Sequence, residues 1–199
     1  YLTGKGTRLF EKALLEQNMN WRDFFEKARL YRGHLTRLDI AINDKWGLLN
    51  MNDLVKAVQE KRFWSKSKSY AVHGNVDDGW TVDFGKSPFV IRAYDKHKEQ
   101  ANKGYDTDVK NRVELELHQD KAEYVLDEWL NNDEKLVDIT FDILYTYLWF
   151  TNGKIEDQQL KSDKVRDEIE ATVEPMPAWS LLTALGKKMK FVREPKKQS

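Results

Sequence analysis

The chain has 199 residues, of which 33 are Lys or Arg and 33 are Asp or Glu, so its formal charge at pH 7 is zero. With 40% hydrophobic and 12% aromatic residues it can build a real core, which excludes disorder of the whole chain. There is no cysteine, which excludes disulfides, thiolate nucleophiles and cysteine-based zinc sites and fits a cytoplasmic setting. No run approaches the roughly 18 apolar residues of a membrane span, and no secretory leader is visible. The chain opens at Tyr1 within sequence that already reads as structured, so we expect it to be part of a longer protein.

Thr7 reads as an N-cap, with Leu9, Phe10, Ala13 and Leu14 following at helical spacing. Asn20 caps a second predicted helix, with Trp21, Phe24, Phe25 and Ala28 turned inward as core. From Leu35 to Ile42 the pattern alternates and predicts a strand, ended by Asn43-Asp44. Asn50 begins a third helix carrying Leu54, Val55 and Val58 on one side. Ser69–His73, Trp80–Phe84 and Pro88–Tyr94 read as strands separated by the turn residues Gly74–Gly79 and Gly85–Ser87. A short helix is predicted over Lys96–Asn102, a loop over Gly104–Asp108 and a strand over Arg112–Leu117. Helices follow near Asp120–Leu130, Glu134–Phe150 and Asp163–Ala171. Pro175 and Pro177 act as breakers before a last helix near Ala178–Met189.

Strands grouped between helices predict an α+β fold: a largely antiparallel sheet, helices packed on one face, and an all-helical C-terminal part. The change near residue 134 suggests an α+β part over 1–133 and a helical part over 134–199. No Gly/Ser/Pro-rich linker separates them, so they also fit a single domain.

Three strands each have one charged face, because residues two apart in a strand share a side. Leu38, Ile40 and Ile42 oppose Arg37, Asp39 and Ala41. Val113, Leu115 and Leu117 oppose Arg112, Glu114 and Glu116. In Val90–Lys96 one face carries Arg92, Tyr94 and Lys96. In one sheet these strands gather Asp39, Glu114 and Glu116 beside three arginines. Carboxylates so gathered repel unless a cation lies among them. Oxygen-only ligands suit Mg²⁺ or Mn²⁺, and arginines suit phosphate. The same pattern also fits a solvated face of cross-strand ion pairs, each worth up to about 1 kcal/mol.

The stretches Leu2–Arg8, Thr36–Asp44, Ile91–Lys96 and Arg112–Leu117, in this order and spacing, resemble the trans-acting replication initiators of rolling-circle plasmids and the related relaxases of conjugative elements. The resemblance runs from residue 2 to about 150, and more weakly over Pro177–Val192. It implies an enzyme that nicks one DNA strand at an origin, holds the 5′-phosphate on a tyrosine and later rejoins the strand. By resemblance the nucleophile is Tyr94, with Asp39 and Glu114, Glu116 or both as metal ligands for Mg²⁺ or Mn²⁺. Lys96 stands where a lysine beside the nucleophile is expected. The sequence departs from the family pattern in Gly79–Gly85, where Asp83 occupies a position commonly aromatic.

On chemical grounds Arg92 and Lys96 flank the phenol and serve as catalytic helpers that hold phosphate or favour phenolate. Tyr70 and Tyr105 are rival tyrosines. Glu99 reads either as a further metal ligand or as an exposed helix residue. No two of His34, His73, His97 and His118 stand two residues apart, so a His-x-His metal pair is absent; His97 is retained as a candidate contact. Trp80 flanks a turn and offers a face for base stacking. The DNA-binding candidates are Arg37 and Arg112 on the charged face, and Lys187, Lys188, Lys190 and Arg193 in a basic C-terminal stretch. Lys61–Lys68 is a second basic segment, read as a loop. Expected partners are origin DNA, single-stranded at the nick, a second copy of the chain and a helicase, with no membrane; on this resemblance 1–133 is the catalytic nicking part and 134–199 serves DNA recognition or dimer contacts. A conjugative relaxase with the same chemistry and a catalytically silent DNA-binding protein are the alternatives.

Overall fold

The computed structural model describes residues 5–132, 135–155, 163–184 and 186. In chain order the elements are α1 (Lys5–Glu16), α2 (Trp21–Leu30), β1 (Arg37–Asp44), α3 (Met51–Gln59), β2 (Phe63–Ser65), β3 (Tyr70–Asn75), β4 (Gly79–Lys86) and β5 (Phe89–Asp95). Then follow α4 (Lys96–Ala101), β6 (Asn111–His118), α5 (Asp120–Asn131), α6 (Leu136–Tyr147), β7 (Leu148–Phe150), α7 (Asp163–Thr172) and α8 (Pro177–Thr183).

The main sheet is antiparallel with strand order β1-β6-β5-β4-β3, so the α+β expectation holds. Its pleat sorts the side chains by parity. Along β6 every second residue, from Asn111 to Leu117, is buried. Ile40, Val82, Phe84, Ile91, Ala93, Val113, Leu115 and Leu117 form one wall of the core. Leu54, Val55 and Val58 of α3, Ala122 and Val125 of α5, and Ile139 and Ile143 of α6 close it from the other side. Each fully buried aliphatic side chain of this kind contributes about 1.5–3 kcal/mol. The helices therefore cover one face and leave the charged face open. The β4–β5 hairpin needs glycine at position 85. Its φ is +100°, and a Cβ there would lie 2.4 Å from the Phe89 carbonyl oxygen.

Three local differences from the sequence reading stand out. The helix predicted over Glu134–Phe150 ends at Tyr147, and Leu148–Phe150 becomes a strand. It pairs with β2 in the register Phe63↔Phe150, Trp64↔Trp149, Ser65↔Leu148, and all six residues are buried. The basic segment Lys61–Lys68 thus encloses a core strand, which its flanking cations concealed. Short apolar runs carry no period that separates helix from strand. Second, Lys96 does not continue the face of β5. The strand ends at Asp95, whose carboxylate accepts the Lys98 N–H (2.9 Å) and caps α4.

Third, the aromatic residues of α2 are not central core. The capping box is as expected: Asn20 Oδ1 accepts from the Arg22 and Asp23 N–H groups, and Asp23 accepts from the Asn20 N–H. Yet no residue of α2 is buried. Phe10, Trp21, Phe24 and Phe25 pack on one another as a half-buried satellite that meets Trp129 of α5. Of the helix predicted near Ala178–Met189, the described residues show Pro177–Thr183; residue 185 and residues 187–189 lie outside the described residues. Residues from both sides of position 134 lie in the same buried cluster, which reaches Ile169, Met176 and Trp179. Among the described residues no helix is long and apolar enough to cross a membrane.

Candidate active site

The open face is built from three cross-strand rows set by the register. Asp39 on β1 stands opposite Glu116 on β6. One step along, Ala41, Glu114, Arg92 and Asp83 follow one another across β1, β6, β5 and β4. The next row runs Asn43, Arg112, Tyr94, Thr81. The strands thus bring together Asp39, Glu114, Glu116, Arg92, Tyr94, Arg37 and Arg112.

Arg37, Asp39, Glu116 and Arg92 are held in ion pairs. Arg37 meets Asp39 through Nε–Oδ1 and Nη2–Oδ2 contacts, both 2.8 Å, and reaches Glu116 Oε2 at 3.0 Å. Asp39 and Glu116 would repel across the β1–β6 pair without that guanidinium between them. Arg92 donates to Asp83 Oδ1 (2.7 Å) and lies 3.6 Å from Glu116. A hydrogen bond from His118 Nε2 (2.8 Å), against the effect of burial and with Arg37 and Arg92 nearby, holds the Glu116 carboxyl below its usual range.

Tyr94 lies among these groups. Its phenol donates to Glu114 Oε2 (3.1 Å). Burial first, then the Glu114 charge, pushes the phenol up to about 12, while Arg112 pulls it the other way. Arg112 itself is held by Asn43 Oδ1 (2.8 Å). Lys96, at the start of α4, keeps its Nζ 5.6 Å from the centre of the Tyr94 ring and 2.6 Å from Glu99 Oε2. Burial disfavours the Glu99 charge, but hydrogen bonds from Lys103, Lys96 and Gln100 outweigh it and hold the carboxyl down to about 2. Glu99 therefore anchors Lys96 beside the phenol.

The rival tyrosines are elsewhere. Tyr70 packs on Phe63 and Phe84 at the helix-covered side, and Tyr105 is an exposed loop residue. His97 is tied to the same loop, 3.3 Å from the Thr107 carbonyl oxygen. Sequence reasoning missed His118, Asp83 and Asn43 as members of the face. Strand parity was the available signal: His118 is two residues beyond Glu116, and Asn43 is two beyond Ala41. Lys187, Lys188, Lys190 and Arg193 lie outside the described residues. As the side chains stand, no three Asp, Glu or His groups among the described residues are drawn together as an ion site.

The open antiparallel face thus carries one tyrosine held between a glutamate and an arginine, with further guanidinium groups on the neighbouring rows. Residues 33–198 match the family described as replication initiation factor, and the chain belongs to that family. It is 30% identical over 165 residues to "Putative DNA relaxase NicK" of Bacillus subtilis (strain 168), covering 76% of this chain and 46% of that protein. It thus spans about half the length of that relative. The solved rolling circle replication initiator protein from Geobacillus stearothermophilus superposes with a TM-score of 0.67 at 27% identity, covering 92% of this chain and 67% of that one.

Proposed function

We propose that this chain nicks and rejoins one strand of DNA as a rolling-circle replication initiator, through a covalent bond between Tyr94 and a 5′-phosphate. The observation that carries the reading is the Tyr94 phenol on the open face, bonded to Glu114 at 3.1 Å with Arg112 beside it. A phenol with its proton held this firmly stays neutral at pH 7 and attacks only as the proton leaves. Glu114 already accepts that hydrogen and is the group positioned to take it. The new bond joins Tyr94 Oη to phosphorus. The bond from phosphorus to the 3′ oxygen breaks, and that oxygen is protonated to a free hydroxyl. Arg112 and Arg92 meet the phosphate oxygens, and Lys96 adds positive charge beside the ring. The phosphotyrosine is again a phosphodiester, so attack by a 3′-hydroxyl reverses the step without ATP.

We further propose that Asp39, Glu114 and Glu116 hold Mg²⁺ or Mn²⁺. Their oxygen donors fit a hard divalent ion, and Arg37 now supplies the cation that the opposed Asp39 and Glu116 require. When bound, such an ion would neutralise charge on a phosphoryl oxygen. The likeness to a protein named as a relaxase supports a second use of the same chemistry, strand transfer in conjugation.

The test is incubation with supercoiled DNA carrying the cognate origin and Mn²⁺. Open circles with protein attached at the 5′ end are expected. Tyr94→Phe is expected to abolish attachment and retain DNA binding. Normal nicking by that variant would move the nucleophile elsewhere, and shifted bands without nicks from the wild type would leave a DNA-binding protein only.

A further inference from the structure

The arginines of the open face are tethered in two ways. Arg37 gives both Nε and Nη2 to Asp39 and sends Nη2 on to Glu116, so one whole edge of its guanidinium is committed to carboxylates. Arg92 and Arg112 are each anchored through Nε to one side chain on the next strand outward. Arg92 Nε donates to Asp83 Oδ1 (2.7 Å), and Arg112 Nε donates to Asn43 Oδ1 (2.8 Å). A guanidinium carries one N–H on Nε and four on its two Nη atoms. A tether at Nε therefore fixes the direction of the group. It leaves outside the tether the Nη1–Nη2 end, which can grip a phosphate through two parallel bonds.

The register makes both tethers. Asp83 of β4 stands directly opposite Arg92 of β5, and Asn43 of β1 stands directly opposite Arg112 of β6. The neighbours β5 and β6 set Tyr94 opposite Arg112, with Arg92 two residues before Tyr94 on the same face. The anchors thus come from the two strands that flank this pair, one from each side. Arg92 Nη1 lies 3.6 Å from Glu116 Oε2 on β6, and Arg112 is close enough to the Tyr94 phenol to favour its charged form. Asp83 has a further neighbour of its own, since its Oδ2 faces His73 Nε2 at 3.5 Å. Cross-strand polar pairs this exposed add little to folding. They do hold long side chains in one direction, so less rotamer freedom is lost when an anion arrives.

We infer that Asp83 and Asn43 are positioning residues, which aim Arg92 and Arg112 at the non-bridging oxygens of the phosphate that Tyr94 attacks. The inference rests on the strand-nicking reading. Neither residue touches the DNA in this role; each acts through its arginine. Negative charge gathers on those oxygens as the phenol adds, and donors already aligned need no rearrangement at that moment. The tethers therefore act on the rate of the chemical step more than on the affinity for DNA. The acceptor oxygen is what each tether requires, so an amide can replace the Asp83 carboxylate and still hold Nε, whereas a methyl group cannot.

The experiment uses the whole chain, Mn²⁺ and single-stranded oligonucleotides spanning the mapped nick, with single-turnover covalent attachment as the rate and anisotropy as the affinity. Asp83→Ala should slow attachment about tenfold with nearly unchanged DNA affinity, and Asp83→Asn should recover most of that loss. The decisive substrate carries a methylphosphonate at the scissile position, where a methyl group replaces one anionic oxygen, tested as separate diastereomers. On one of them the gap between wild type and Asp83→Ala should close to about twofold, because the oxygen that Arg92 addresses is gone. Asn43→Ala, whose side chain is exposed, is an independent arm and should show the same closure through Arg112. Melting temperatures near wild type would show that the variants fold. A variant as fast as wild type, or a gap equally wide on phosphate and both methylphosphonates, overturns the positioning role of that residue. If the wild type still attaches to DNA meanwhile, the nicking reading survives that failure; absence of wild-type attachment strikes the reading itself.

Discussion

Guanidinium groups occupy two opposite environments in this molecule. On the open face Arg37 and Arg92 are partly exposed and held by carboxylates on neighbouring strands. Behind the sheet, Arg166 of α7 is 1% exposed and lies against rings, 4.2 Å from the centre of Tyr145 and 5.7 Å from those of Trp64 and Trp149. Exposed ion pairs contribute little to stability, so their arginines can exchange a carboxylate for a phosphate at small cost. A cation packed among aromatic faces has been stripped of water and has no such freedom. One region keeps its charges available and the other uses charge as packing.

That contrast can be broken at three points. Arg166→Leu should lower unfolding free energy by about 2–4 kcal/mol, through lost cation–ring attraction and misfit, measured by urea denaturation. Nicking per folded molecule should stay near wild type. Arg37→Ala should change stability by less than about 1 kcal/mol yet weaken DNA binding and reduce its salt slope by about one. An unchanged slope would mean that Arg37 serves the carboxylates alone. The smallest effect concerns Glu99, whose folded-state carboxyl is held down to about 2. A depressed carboxyl contributes stability present above its unfolded value near 4.5, and lost as pH falls through about 2. The melting-temperature advantage of wild type over Glu99→Gln should therefore be complete above about pH 4.5 and shrink towards about pH 2.

The parts of the fold that repeat a period were readable without coordinates. Alternation in Arg37–Ile42 and Arg112–Leu117 placed the acidic and basic side chains on one face, and the register then set Asp39 against Glu116. The caps Asn20 and Asn50 were equally plain, because each leaves a short polar side chain before an apolar helical run. Phe63–Ser65 and Leu148–Phe150 were hidden. Three residues define no period, and the second segment continues the apolar run of α6. Lys96 was misassigned to the strand because nothing local marks Asp95 as both its last residue and a cap. The partners of Tyr94 depend on pairing between β5 and β6, which are separated in sequence by α4 and a loop. Parity names the candidates, but only the register decides which of them meet.

The strand that carries Tyr94 has a paired neighbour on each side, with β6 along one edge and β4 along the other. Its backbone hydrogen bonds are committed in both directions, so the phenol is mounted on a stiff support. In the proposed reaction, scission and resealing use that same stationary oxygen. The travelling parts must then be the nucleic-acid ends: the freed 3′ terminus has to depart and an incoming one has to swing back to a fixed anvil.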